Sequence, residues 1–219
     1  GTISQVLGRS GDLSGKCIVV TAGGTQEPLD PVRCLTNRSS GKMGYALAEA
    51  ARDRGAQVVL VTAPTALVKP SGVEVVDVTT AQEMYEAVKK AVGKAAALIM
   101  AAAVADYRPR KVAESKIKRE KADSLTVELE RTPDILGSVR GDFLRVGFAA
   151  ESEDLVANAR DKLTKKQLDL IVANDVSAVG AETNRVVIID KSGNIDELPT
   201  LPKREVADKI LDKVVRLLG

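Results

Sequence analysis

The 219-residue chain contains no histidine. That absence removes every mechanism built on an imidazole base, a Ser-His-Asp or Cys-His arrangement, or a histidine metal ligand. Chemistry in this chain must run on Lys, Arg, Asp, Asn, backbone amides and a bound cation. Aromatic residues are almost as scarce, at 2% of the sequence, so the stacking platforms that hold single-stranded nucleic acid are hard to build. Charge gives no such partner either: 32 Lys and Arg against 30 Asp and Glu leave a net charge of +2. The two cysteines, Cys17 and Cys34, are too few and too oddly spaced for a disulfide framework or a zinc site, which points to a reducing compartment. The longest apolar runs, 95–104 and 145–150, fall far short of the roughly 20 residues needed to cross a bilayer. The N-terminus lacks the charged and apolar regions of a secretory signal and starts without Met, as a cut or processed start would. A cytoplasmic protein with no nucleic-acid or membrane partner is expected.

What is present alternates. Residues 16–22 form an apolar, β-branched run closed by Gly23-Gly24, the pattern of a strand buried on both faces. From Ser40 onward, Met43, Ala46, Leu47, Ala50 and Ala51 recur at helical spacing until Gly55. Strands are read at 57–62 and 73–78, and Thr80 with Glu83 makes a capping box for the helix carrying Met84, Ala87, Val88 and Ala91. Further strands are read at 95–103, 145–150 and 168–173, with an edge strand at 185–190 and weak alternation at 125–129. Thr132 and Pro133 read as an N-cap and first helical residue, Ser152 as a cap, and Pro202 as the start of a C-terminal helix through Val206, Ile210, Val214 and Leu217. This order predicts an α/β fold with a mainly parallel sheet and helices on both faces. Residues 1–15 read as a lead or linker and 16–219 as one domain, with a flap at about 108–121. That flap carries seven basic and two acidic residues, a local charge of +5, and reads as an exposed strip.

In folds of this kind the loop after the first strand meets a helix N-terminus, where unpaired amides attract phosphate. Here the loop is long. Gly23 and Gly24 open it, and Ser39, Ser40, Gly41 and Lys42 close it with hydroxyls, amides and charge. It matches neither the dinucleotide-binding glycine fingerprint nor the P-loop, so composition leaves both a phosphate site and a plain structural turn open. The missing fingerprint weighs against a nicotinamide-dependent oxidoreductase, as does the lack of a histidine acid; a non-catalytic nucleotide sensor stays open.

Whole motifs narrow this. The string from Thr21 to Arg33, then Asn37-Arg38-Ser39-Ser40-Gly41-Lys42-Met43-Gly44, closely resembles phosphopantothenoylcysteine synthetase, a ligase of coenzyme A biosynthesis. Ala101-Ala102-Ala103-Val104-Ala105-Asp106-Tyr107-Arg108-Pro109, Lys116-Ile117-Lys118-Arg119, Thr132-Pro133-Asp134-Ile135-Leu136, Gly147-Phe148-Ala149-Ala150-Glu151 and Ala173-Asn174-Asp175-Val176 follow in the family's order. The resemblance runs from about residue 16 to the C-terminus. It implies a Rossmann-like fold and a two-step reaction of the bacterial type. First 4′-phosphopantothenate attacks the α-phosphate of CTP, with Mg²⁺ present, to give an acyl-cytidylate and pyrophosphate. L-Cysteine then displaces CMP.

The resemblance assigns Lys116 to acyl-cytidylate formation, Asn37 to holding the intermediate for cysteine, and Arg33 to the second step or the substrate phosphate. Phe148, Asn174 and Asp175 read as the ends of two further strands and border the nucleotide pocket in the family. Gly23, Gly24, Ser39, Ser40, Gly41, Lys42, Ala103 and Lys118 are read as further nucleotide or phosphate contacts, and the spacing of Lys162 and Lys166, one helical turn apart, brings both to the same mouth. Asp106 reads as the end of a buried strand, which places its carboxylate for nucleotide hydroxyls or for Mg²⁺, without separating the two. A homodimer is implied, as is a flavin-dependent decarboxylase, fused or separate, whose flavin this chain would not carry. Cys34 stands where relatives often have an aromatic residue and Arg38 where some have His, so the pocket near Cys34 is where this sequence departs from the family pattern.

Overall fold

The computed structural model describes residues 10–118, 124–151, 154–175 and 180–219, with the side chains of Glu151 and Asp175 left out. Strand β1 (Cys17–Ala22) is buried along nearly its whole length. After it the chain makes a hairpin, β2 (Gln26–Pro28) and β3 (Cys34–Thr36), then helix α1 (Lys42–Asp53). Next come β4 (Gln57–Thr62), β5 (Glu74–Asp77), helix α2 (Ala81–Ala91), a single 3₁₀ turn and β6 (Ala97–Met100). A ribbon of β7 (Tyr107–Pro109) and β8 (Leu129–Arg131) leads to the short helix α3 (Ile135–Ser138) and to β9 (Leu144–Glu151). Helix α4 (Leu155–Lys165) and β10 (Leu170–Asp175) follow. The chain ends with β11 (Thr183–Asn184), β12 (Val186–Asp190), β13 (Ile195–Glu197), β14 (Leu201–Pro202) and helix α5 (Lys203–Leu218).

Eight strands form the central sheet in the order β13-β12-β10-β9-β6-β1-β4-β5. The run from β10 to β5 is parallel, and β12 and β13 are antiparallel additions at one side. Period-two alternation sends Ile18, Val20 and Ala22 to one face, where α1 and α5 cover them with Leu47, Ala51, Ile210 and Val214. Val19, Leu98 and Ile171 point to the other face, under Met84 and Val88 of α2 and Ala159 and Leu163 of α4. Helices thus lie on both faces, as the sequence predicts. Because β1 is followed on one side by β4 and on the other by β6, the chain reverses direction across the sheet there, which opens a crevice beyond the strand ends.

Local chemistry decides the helix ends. The Thr80–Glu83 capping box forms as read. Thr132 is not a cap: its hydroxyl donates to the Ala105 carbonyl, and Asp134, two residues on, caps α3 by accepting from the Gly137 amide. Ser152 lies outside the described residues. Pro202 does start α5, as its N-cap residue. The strand read at 185–190 is not an edge, because β13 pairs outside it.

The basic flap also differs from a free strip. Its first residues are β7, paired with β8, and Arg108 and Arg110 form ion pairs with Glu130 and Glu128 across the ribbon. The partner strand thus supplies acid that a charge count over 108–121 does not include. Arg119 and Lys121, also counted in the flap, lie outside the described residues.

Candidate functional site at the sheet reversal

The crevice floor is knitted by side chains from the end of β1 and the segment after it. Thr21 Oγ1 accepts from the Ala102 amide at 3.1 Å, Thr25 Oγ1 accepts from Ala105 at 2.9 Å, and Asn37 Nδ2 donates to the Val104 carbonyl at 3.0 Å. Backbone bonds complete the seam, with the Ala103 amide donating to Gly23 and the Thr25 amide to Ala103. Asn37 is therefore no helix cap. That position belongs to Gly41, in the left-handed region at φ 74°, which offers no side-chain oxygen to the first turn of α1. Ser39 and Ser40 fold back instead, accepting from the Gly41 and Lys42 amides at 3.3 and 3.5 Å. The helix end can sit close to β1 because residue 44 is glycine; a Cβ there would lie 2.7 Å from the Thr21 carbonyl oxygen.

Two cavities open over this floor. One, of about 340 Å³, is lined by Asn37 to Gly44, Ala101 to Val104, Asn174, Asn184 and Lys203. The other, of about 510 Å³, is lined by Arg131 to Leu136, Tyr107 and Lys166. Ala102, Val104, Asp106, Phe148 and Lys162 line both. Phe148 reaches this shared wall from within β9 rather than from a strand end. It does so because β6 stops pairing at Met100, opposite Gly147, and β9 runs on beyond it. Asp106 likewise does not end a strand: β6 finishes at Met100, and Asp106 stands on the loop entering β7.

Of the residues named from sequence, the structure thus gathers Asn37, Ser39, Ser40, Gly41, Lys42, Ala103, Asp106, Phe148, Lys162, Lys166 and Asn174 around the two cavities, with Gly23 and Gly24 beneath them. Asp175 is described only as the last residue of β10. Lys116, Lys118 and Arg33 line neither cavity. The Arg33 guanidinium turns to Asp30 at 3.4 Å and to the Ile117 carbonyl at 3.2 Å.

Asp30, which the sequence reading passed over, organises that corner. Its buried carboxylate accepts from the amides of Val32 and Arg33 at 2.8 Å and Ile117 at 3.0 Å. Burial works against its charge, yet those three amides and Arg33 outweigh it and hold the carboxyl below its ordinary range. The neighbour of Lys116 is thereby fastened to the loop after β1. An Asp-Pro turn between two short extended runs was the available signal.

Asp134 and Glu182 were not singled out in the sequence, nor were Asn184 and Lys203. Asp134 faces Lys166 at 2.8 Å; burial raises its carboxyl, but Lys166, the Gly137 amide and Lys162 bring it down overall. Lys42 is ion-paired with Glu182 and also donates to the Gly180 carbonyl at 3.1 Å. Lys162 donates to the Phe148 carbonyl at 3.3 Å.

Residues 13–218 match the family model for the DNA/pantothenate metabolism flavoprotein C-terminal domain. The chain belongs to that family. It is 46% identical over 216 residues to the coenzyme A biosynthesis bifunctional protein CoaBC of Bacillus subtilis, covering 95% of this chain and 53% of that protein. It thus spans about half the length of the curated relatives it matches. The crystal structure of the C-terminal domain of a CoaBC superposes with a TM-score of 0.83 at 45% identity, covering 95% of this chain and 98% of that one. A Cab2 mutant in complex with phosphopantothenate-cysteine shares the fold at a TM-score of 0.74 and 18% identity, covering 99% of this chain and 89% of its own.

Proposed function

We propose that this chain is a phosphopantothenate–cysteine ligase that activates 4′-phosphopantothenate with CTP and then joins it to L-cysteine. The observation that carries this reading is the pair of cavities sharing one wall, since a nucleotide and a carboxylic acid must meet at a single point. Family membership supports it, as do relatives named for coenzyme A biosynthesis.

A carboxylate has no usable leaving group at neutral pH and must become a mixed anhydride first. The carboxylate oxygen attacks the α-phosphorus of CTP, the new C–O–P link forms, and the bond to pyrophosphate breaks with its electron pair leaving on pyrophosphate. The open helix end at Gly41, with Ser39, Ser40 and Lys42, is the phosphate wall; Lys162, Lys166 and Phe148 border the rest of the nucleotide. Lys116 moves in from the ribbon to meet charge growing on the α-phosphate. Asn37, already bonded to the Val104 carbonyl, holds the acyl-cytidylate without protonating the incoming amine. The cysteine amine attacks the acyl carbon, CMP departs, and the amine proton passes to solvent, as no histidine is present to take it.

Mg²⁺, when bound, neutralises phosphate charge. No group of three or more acidic, His or Cys side chains among the described residues is placed to hold a metal. Asp106, which lines both cavities, fits a Mg²⁺ that arrives on the triphosphate and keeps most of its water.

A homodimer belongs to this reading. The β2–β3 and β7–β8 ribbons lie side by side, joined by the Ala113 amide on the Leu29 carbonyl. Val32, Leu35, Val112 and Leu129 leave apolar surface exposed along them. A flavin-dependent decarboxylase, fused or separate, would supply the remaining half of the relatives' length. The setting is cytoplasmic; among the described residues no helix is long and apolar enough to cross a membrane.

The test is mass-spectrometric detection of 4′-phosphopantothenoylcysteine and CMP from 4′-phosphopantothenate, L-cysteine, CTP and Mg²⁺. Product that forms equally well without a nucleotide, or none under any condition, rejects the reading.

A further inference from the structure

Behind the wall of the larger cavity lies a buried arginine. Arg145, within β9, is 6% exposed and lines neither cavity. One amino group of its guanidinium donates to the Leu136 carbonyl, and the other to the Gln167 carbonyl at 3.1 Å. Leu136 closes the stretch of cavity wall that begins at Thr132, and Gln167 directly follows Lys166 on the opposite side. Gln167 stands in the left-handed region at φ 52°, just past the C-cap of α4. The two sides also meet over Gly147, on the same sheet face as Arg145, where a Cβ would lie 2.6 Å from the Leu168 side chain and 3.2 Å from that of Leu136. The guanidinium Nε is buried with no hydrogen-bond partner among the described residues. The Asp169 carboxylate accepts from the Arg145 backbone amide at 2.9 Å and pairs with Lys191 at 2.8 Å. Burial, and after it the charge of Arg140, pull the guanidinium pKa down, with Asp169 and Asp134 opposing them.

A buried charge met by carbonyls is a costly way to fill a core, and an apolar side chain of similar volume would pack as well. An apolar side chain cannot hold two carbonyls at a fixed separation, whereas a planar guanidinium fork can. The wall needs such a tie, because α3 is four residues long and one turn of helix does not hold itself in place. The Asp134–Lys166 ion pair joins the same two sides, but both of its side chains are partly exposed. Arg145 is the buried tie. We infer that Arg145 is a positioning residue that fixes the gap between the α3 wall and the end of α4, and so selects the nucleotide base by size, a single-ring base over a double-ring one. This rests on the reading above that the nucleotide beyond its phosphates lies against Lys162, Lys166 and Phe148. Arg145 acts through Leu136 and Lys166, which line the cavity, and not by contact with the base.

Pyrophosphate release by the full chain, with 4′-phosphopantothenate and Mg²⁺ present and CTP or ATP varied, tests this in the parent, Arg145→Met and Arg145→Lys, alongside denaturant unfolding. Both variants are expected to raise KM for CTP about tenfold with kcat within about twofold of the parent, and to lower the CTP-over-ATP ratio of kcat/KM about tenfold. Lysine restores the charge but is a point donor that cannot span both carbonyls, so selectivity stays lost even where stability returns. Should Arg145→Met not fold, Arg145→Lys decides alone. A CTP-over-ATP ratio equal to the parent's in a folded variant, a fall in kcat with KM unchanged, or full rescue by lysine overturns the proposal, as does a parent that uses CTP and ATP equally. A parent with no nucleotide-dependent release defeats the proposed function instead, and calorimetric affinities of the same variants for CTP and ATP then decide whether Arg145 shapes the cavity.

Discussion

Ser39, Ser40 and Gly41 stand where β1 runs into α1, over a floor tied to the segment that follows β6, whereas Lys116 stands on a segment tied to the loop after β1 through its neighbour Ile117 and the Asp30 carboxylate. The sheet side owes its geometry to packing: Gly44 admits α1 onto Thr21, and Leu47 and Ala51 bury against β1. The ribbon side has exposed apolar residues and ion pairs in place of a core. A two-step ligation needs both kinds of support. Bound phosphates gain from a preorganised cradle, while a cation that meets the transition state and leaves with pyrophosphate gains from freedom to move.

The difference can be broken from either side. The largest effect should come from the ribbon: Lys116→Ala is expected to slow CTP- and phosphopantothenate-dependent pyrophosphate release about 10²–10³-fold, with the melting temperature unchanged. A loss of stability in that variant would put Lys116 in the fold rather than the chemistry. Asn37→Ala should leave pyrophosphate release nearly intact and depress amide formation about 100-fold, read by following both products in the same reaction. Loss of the same step in both variants would erase the division of labour. On the sheet side, Gly44→Ala forces a Cβ against the Thr21 carbonyl and should cost about 1–3 kcal/mol in denaturant unfolding, with activity falling alongside stability.

Asp30→Asn is expected to slow pyrophosphate release only about tenfold, since it loosens the support of Lys116 and not the group itself. Its pH signature is fixed in sign. The folded carboxyl is held below its ordinary value, so the tether is present above about pH 4 and is lost as pH falls through the folded value; from about pH 6 to 9 parent and variant profiles should run parallel. Smallest of all, Lys166→Ala removes a half-exposed ion pair with Asp134 and should change stability by less than about 1 kcal/mol, visible mainly as weaker nucleotide binding.

The sheet side was the more legible in sequence, for a physical reason. Buried strands and amphipathic helices repeat their apolar residues at fixed periods, so β1, α1, α2 and α5 stand out from Ile18, Leu47, Met84 and Ile210 alone. The hairpin β2–β3 and the ribbon β7–β8 carry three residues per strand, too short for any period to show. Thr132 read as a cap because sequence does not reveal that the Ala105 carbonyl would claim its hydroxyl. Among site residues, those in continuous motifs were found, while Lys203 and Asn184 enter the cavity from distant elements and look in sequence like a helix start and a turn. Glu182 and Asp30 act by pairing with groups that only the fold brings near.

The central claim, activation of a carboxylate by a nucleotide before cysteine takes part, is tested most directly by pyrophosphate release in the absence of cysteine, run across CTP, ATP, GTP and UTP. The account predicts release that requires 4′-phosphopantothenate and is fastest with CTP. Release with no dependence on 4′-phosphopantothenate, or none with any nucleotide, would contradict it.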